Sequence, residues 1–228
     1  MPARRRRYKE EHMESNTALR QEGALVYRHG DRLYVNLTNR CTARCLFCVR
    51  ESRPVVEGKS LRLRREHTAA EYLKAMGDPR QYSEVVFCGY GEPTLRLQEL
   101  LQLARAVKAA GCRVRLNTNG HGNLIHKRNI VPELKTCLDE ISISINAPDP
   151  LTYLRIVRPD SGKTAFGAVI DFVWECVGCI PRVTLTAIDF PGQDLEACRR
   201  LAEDMGAEFR MREYQRPGTS DFGLRILA

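Results

Sequence analysis

Cys41, Cys45 and Cys48 stand in the run CTARCLFC, a C-x-x-x-C-x-x-C spacing directly after the strand-like YVNLT. Three thiolates within eight residues of a loop can bind one cluster of iron and sulfur. A [4Fe–4S] cube has four irons, so three local cysteines leave one iron free to take a small molecule. Zinc is a second reading, but a closed zinc site needs a fourth ligand, and no nearby Cys or His supplies an obvious one. A third reading, three cysteines buried by chance, fits poorly with a loop between Arg40 and Arg50. Two further turns end strand-like runs: GYGEP at 89–93 and NTNG at 117–120. As bare patterns both are ordinary polar turns.

The elements that must position these turns alternate. LVYRHGDRLYVNLT (25–38) reads as a hairpin turning at His29-Gly30-Asp31. Strands follow at 83–89, 112–118, 140–146, 182–188 and 208–214. Between them, apolar residues at helical spacing predict helices over 95–110, 164–177 and 195–205, with weaker signals near 67–76 and 125–136. Asp194 reads as an N-cap, and Gly111 and Gly206 as stops. Strand–helix alternation implies right-handed βαβ units and a parallel sheet. Six strands are too few for a closed eight-stranded barrel and suit an open partial barrel or a doubly wound sheet.

The strands choose between these. A strand covered on both faces is nearly all apolar. Here Ile141, Ile143 and Ile145 alternate with Ser142, Ser144 and Asn146, and Val183, Leu185 and Ala187 with Thr184, Thr186 and Ile188. Phe209 and Met211 alternate with Arg210, Arg212 and Tyr214, and Leu33, Val35 and Leu37 with Tyr34, Asn36 and Thr38. Helices take the apolar face, so the polar sets line a shared cavity. The expected fold is therefore α/β, a partial (β/α)6 TIM-like barrel of parallel strands with an N-terminal hairpin strand.

Composition sets the outer limits. The chain has 228 residues, 43% hydrophobic and 28% charged, ordinary for one globular domain. Residues 1–22 read as a basic tail and 23–228 as the core domain. No stretch approaches a membrane helix, and MPARRRRYKEEH does not resemble a signal peptide. A reducing cytoplasm is the expectation, where nine cysteines, an odd number, point to metal or redox chemistry rather than disulfides. The net charge of +8 resides in residues 1–12 (+3) and 40–66 (+5), the second surrounding the cysteine motif. Such runs are commonly solvated faces, and here one also attracts anions.

With Phe47 between Cys45 and Cys48, C-x-x-x-C-x-aromatic-C resembles the signature of the radical S-adenosylmethionine (SAM) superfamily, a likeness covering nearly all of residues 30–214. The resemblance implies an enzyme with a [4Fe–4S] cluster held by Cys41, Cys45 and Cys48. Its open iron chelates the amino and carboxylate groups of SAM, and SAM is cleaved reductively to a 5′-deoxyadenosyl radical that abstracts hydrogen. GYGEP is similar to the family's Gly-Gly-Glu-Pro, with Tyr90 in place of the first glycine. Glu92 is then expected to accept from the SAM amino group or to orient the backbone toward it. Gly91 permits close backbone approach and Pro93 fixes the turn. NTNG is similar to Thr-Thr-Asn-Gly, which makes Asn117 and Asn119 candidates for the SAM ribose or carboxylate. Ser144 and Asn146 stand where the family places a polar contact, and Ile188 where adenine is faced. The runs LYVNLTNRCTARCLFCVRE, VVFCGYGEPTLRL and FRMREY resemble the small TatD-linked radical SAM group, which implies a TatD-type nuclease as companion. A reductant such as flavodoxin or ferredoxin is implied as well.

Among the other cysteines, Cys176 and Cys179 form C-V-G-C, but Cys176 falls on an apolar helix face and Cys179 after a Gly178 cap, so both read as structural. Cys88, just before GYGEP, either packs or approaches the SAM pocket. For the substrate, Arg210, Arg212 and Tyr214 are expected to point into the cavity, with Arg115 beside them. Paired guanidinium groups suit a phosphate or carboxylate, on a small molecule, nucleotide or nucleic acid. Salt bridges to Glu208 or Glu140 are the alternative. Two other functions stay open: an activase of glycyl radical enzymes, against which Asn146-Ala147-Pro148 stands in place of Asp-x-Lys, and a non-catalytic metal or nucleic-acid binding module. The latter predicts zinc, no SAM and a solvated polar face.

Overall fold

A computed structural model describes residues 23–52, 55–56 and 59–214. The expected basic tail, 1–22, lies outside these residues, as does 215–228. One seven-stranded sheet organises the chain: β1 (Val26–His29), β2 (Arg32–Val35), β3 (Glu84–Phe87), β4 (Arg113–Thr118), β5 (Glu140–Ser144), β6 (Arg182–Ile188) and β7 (Glu208–Arg212), ordered as in the sequence. β1 pairs with β2 antiparallel through the hairpin, and every later pairing is parallel. This is the open (β/α)6 arrangement with a hairpin strand at its edge.

Among the described residues, besides a single helical turn at Val49–Ser52 after the cysteine loop, seven helices fill the connections: α1 (Ala69–Met76), α2 (Leu97–Ala109), α3 (Gly122–His126), α4 (Val131–Leu134), α5 (Pro150–Val157), α6 (Ala165–Cys176) and α7 (Leu195–Asp204). Their starts are chemically marked. Thr68 and Glu71 form a capping box on α1, Asp149 accepts from the amides of Leu151 and Thr152 at α5, and Asp194 accepts from Ala197 N at α7. Two local expectations are corrected. The single helix expected over 125–136 is two short ones: Lys127 adopts a left-handed φ of 52° after α3, and Pro132, which cannot donate, sits in the first turn of α4. The helix α5 was not anticipated.

The two faces of the strands sort as their alternation predicts. Leu33, Val35, Val85, Phe87, Leu116, Ile141, Ile143 and Leu185 join the helices in one large apolar core. The opposite face is enclosed rather than solvated: Asn36, Thr38, Ser142, Thr184 and Thr186 are all buried. A smaller cluster of Tyr27, Tyr34, Leu61, Val86 and Cys88 packs apart from the main core. Among the described residues no helix is long and apolar enough to cross a membrane.

Candidate active site

The cysteine loop leaves β2 at the end of the sheet where parallel strands finish, the end at which βα folds gather their chemistry. Distant segments clasp it. Glu92 N donates to Arg40 O at 2.7 Å, Leu46 N to Ile156 O at 2.9 Å, and Asp160 N to Thr42 O at 2.9 Å. Arg44 N is shared between the carbonyls of Val157 and Arg158, and Arg44 forms an ion pair with Asp160 at 3.0 Å. The C-terminal carbonyls of α5 thus hold the loop, which is why that helix matters here. Its start was legible: Asp149 followed by Pro150 is a cap and first-turn pair.

The 89–93 turn approaches so closely that side chains are excluded. A Cβ on Gly91 would stand 2.2 Å from Arg40 O and 2.6 Å from Thr38 O, and one on Gly89 would stand 2.2 Å from Asn36 Oδ1. Gly91 therefore serves close packing on the cysteine loop. Asn36, buried at the end of β2, accepts from Tyr90 N and donates to Ala24 O and Leu61 O. Tyr90, in the place of the expected glycine, fits because its hydroxyl donates outward to Arg50 O.

Glu92 is the hub of the site. Its Oε1 accepts from Thr94 N, Thr94 Oγ1 and Thr118 Oγ1 at 2.7–3.1 Å, and Oε2 accepts from Asn119 N at 2.8 Å. Burial pushes its carboxyl pKa up, while these donors pull it down. The carboxylate locks the 89–93 turn to 117–120. Asn119 continues the lock, its Nδ2 donating to Thr42 Oγ1 at 3.0 Å and lying 3.7 Å from Cys41 Sγ. Its amide thus faces the cluster loop. Asn117 stands beside Cys88, and its Oδ1 is buried with no hydrogen-bond partner.

A pair not anticipated from the sequence underlies the loop. His121 is fully buried, with Nδ1 2.8 Å from Thr42 Oγ1 and Nε2 2.8 Å from Tyr153 Oη. Burial lowers its pKa to about 4, so it is neutral. The signal available was a histidine directly after NTNG, which resembles any surface turn residue until α5 delivers Tyr153.

Ser144 Oγ lies 3.3 Å from Thr186 Oγ1 and accepts from Arg212 at 3.4 Å. Arg212 lies in the electrostatic field of Cys45 and Cys88, and burial lowers its pKa. Asn146 accepts from Ile188 N and donates to Ser144 O, fixing the ends of β5 and β6 together. Phe47 packs on Phe190 at 5.7 Å between centroids, and Phe190 on Tyr214 at 5.1 Å, so an aromatic row joins the loop to the end of β7. Arg210 points inward but away from the loop, donating to Ser142 Oγ at 3.2 Å. Arg115 pairs with Glu84 at 3.2 Å and Glu140 at 3.8 Å. Cys176 is buried in α6, whereas Cys179 is exposed beyond it.

The donor set fits an iron–sulfur cluster. Cys41, Cys45 and Cys48 are free thiols within one another's electrostatic field. His121, the histidine behind the loop, has both ring nitrogens engaged. Burial, then the charge of Glu92, pushes Cys41 up to about 11, and burial and the neighbouring sulfurs push Cys45 up as well. Ligation therefore displaces protons from these thiols.

A family model described as the radical SAM superfamily matches residues 35–205. A curated protein of Thermococcus kodakarensis named "Probable GTP 3′,8-cyclase" is 27% identical over 153 residues, 67% of this chain and 46% of its own length. The chain thus spans about half the length of that relative. Among solved structures, Streptococcus suis SuiB bound to S-adenosylmethionine matches with a TM-score of 0.63 at 16% identity, covering 86% of this chain and 43% of SuiB. TYW1 with a lysine–pyruvate adduct matches with a TM-score of 0.56 at 14% identity, covering 84% and 67%. These two likenesses concern the fold.

Proposed function

The chain belongs to the radical SAM superfamily, whose enzymes bind a [4Fe–4S] cluster and SAM, and from that premise we propose that it abstracts hydrogen from a substrate bearing phosphate or carboxylate. When bound, the cluster and SAM supply a reductively cleaved carbon–sulfur bond and a 5′-deoxyadenosyl radical. Cys41, Cys45 and Cys48 hold the cluster. Asn119 steadies Cys41, and Glu92 keeps the 89–93 backbone facing the open side of the loop. The buried Oδ1 of Asn117 is a polar contact for SAM or substrate, with Ser144 and Ile188 further along the same face.

The observation that carries the anionic substrate is Arg212. It stands at the end of β7, donating to Ser144 Oγ at 3.4 Å within the electrostatic field of Cys88 and Cys45. Its guanidinium offers forked donors of the geometry that phosphate and carboxylate oxygens accept. The name of the Thermococcus kodakarensis relative, a cyclase of GTP, supports a nucleotide as the favoured case. A TatD-linked role on nucleotide or nucleic acid, with a flavodoxin- or ferredoxin-type reductant, belongs to the same proposal and is supported by the motifs. The non-catalytic module required a solvated polar face, and that face is buried.

The test is 5′-deoxyadenosine release by anaerobically reconstituted, reduced protein, screened against phosphorylated and neutral metabolite pools. Stimulation by phosphorylated compounds that Arg212→Gln abolishes is the expected result. Stimulation by neutral compounds alone, indifferent to Arg212→Gln, overturns the anionic substrate.

A further inference from the structure

The barrel has a second mouth, opposite the cysteine loop, where the parallel strands begin. Their first residues are Arg32, Glu84, Arg113, Glu140, Arg182 and Glu208, alternating in charge strand by strand. Neighbours pair around this rim: Arg32 with Glu84 at 3.5 Å, Arg113 with Glu140 at 3.9 Å, and Arg182 with Glu140 at 3.8 Å and with Glu208 at 2.9 Å. Such a ring is neutral by itself.

Two further arginines lie inside it. Arg115 and Arg210 are each the third residue of their strands, so period-2 geometry puts them on the same inner face. They line a cavity of about 360 Å³ together with rim residues. Five arginines and three carboxylates line that cavity. Glu208, paired with Arg182 from outside the lining, reduces the excess to one positive charge, and that charge is at Arg210. Among the described residues Arg210 has no carboxylate at ion-pair distance; its guanidinium donates to Ser142 Oγ, and its Nε is buried without a hydrogen-bond partner. Arg115 is 2% exposed, and its Nε and Nη2 make no hydrogen bond, although Nη2 lies 3.2 Å from Glu84. Burial and the nearby charge of Arg115 both lower the pKa of Arg210, and Glu140 only partly offsets them.

Buried guanidinium donors left unbonded are costly, and a planar fork of them matches the oxygens of a phosphate. We propose that this cavity binds a tetrahedral oxyanion, a phosphate group either free or carried by a metabolite, at a site separate from that of the cluster and SAM. The volume holds more than one phosphate, which leaves room for a phosphorylated small molecule.

Calorimetry under nitrogen on the reconstituted full chain tests this, with inorganic phosphate, pyrophosphate and ribose 5-phosphate as probes at constant ionic strength. Saturable one-to-one binding of at least one probe is expected, weakened about tenfold or more by Arg210→Gln with SAM affinity held within about twofold. Tightest binding of the inorganic probes identifies a free oxyanion, and tightest binding of ribose 5-phosphate a metabolite. Absence of saturable binding by all three overturns the proposal, as does equal affinity in wild type and Arg210→Gln. Binding lost in Arg212→Gln but kept in Arg210→Gln places the anion beside the cysteine loop and also overturns it. Should Arg210→Gln not fold, the exposed lining residue Arg113→Gln carries the test, and unchanged affinity there counts against the site. None of these outcomes depends on the substrate proposed above.

Discussion

The two mouths of one barrel are built from different physics. At the cysteine end, hydrogen bonds and close backbone contacts fix a loop: a single buried carboxylate, Glu92, takes four donors, and glycines admit carbonyls to within van der Waals contact. At the other end, full charges on long side chains meet across a partly open rim. Short saturated bonds hold position to a fraction of an ångström, as a site that orients a cofactor requires. Paired charges on flexible stems hold net charge rather than position, and this suits an end that admits an ion.

The comparison breaks most visibly at the thiols. Cys41→Ala, Cys45→Ala or Cys48→Ala should each abolish the visible cluster absorbance and SAM cleavage in anaerobically reconstituted protein. Cys176→Ala and Cys179→Ala should keep both. Equal loss of iron from the second pair, measured by metal analysis, would mean that cluster chemistry extends beyond the loop.

Next comes Glu92. Glu92→Ala leaves the Thr94, Thr118 and Asn119 donors unmatched, and a buried donor left so costs about 1–3 kcal/mol. A fall of that size in urea-unfolding stability, together with weaker SAM binding, is expected. Removing the rim pair by Arg182→Gln should cost less than about 1 kcal/mol, because both partners are half exposed.

Acid separates the two ends by sign. His121 titrates near 4 in the fold because burial disfavours its charged form, against about 6.5 in the unfolded chain. Its contribution is intact above pH 6.5 and drains as pH falls toward 4, by about 3 kcal/mol in all. Glu84 moves oppositely: burial raises its pKa despite Arg115, so acid favours the folded form there. Stability measured from pH 7 to 4 should therefore fall, and His121→Gln should flatten the fall. An unchanged slope in that variant would remove His121 from the account. The smallest effect is expected from salt. Raising KCl to about 1 M should reduce the contribution of Arg182–Glu208 by a few tenths of a kcal/mol. The Glu92 contribution, shielded from solvent, should stay constant.

Much of this was legible in the residues. Period-2 alternation gave every main strand and its facing, because one face packs on helices while the other lines an interior. Cysteine spacing singled out the loop that α5 and the 89–93 turn clasp. What was hidden involved partners brought from afar. Nothing near position 92 reveals that Thr118 and Asn119 will saturate its carboxylate. Nothing near His121 points to Tyr153, which arrives on the unanticipated α5. Arg210 and Arg212 look equivalent in FRMREY. Barrel depth, visible only in three dimensions, sends one toward Ser142 and the other toward Ser144. The alternating rim was readable in principle, since Arg or Glu opens all six parallel strands, but only once the strand starts were known.

The clasp on the cysteine loop also sets an order in time. Its closing contacts come from Ile156 through Asp160, more than a hundred residues after Cys48. A ribosome adding about 5–20 residues per second needs on the order of 5–20 s to make that stretch. Throughout that interval the three thiols have been translated but the carbonyls that shape their loop have not. The loop therefore takes its final shape only after α5 has been translated.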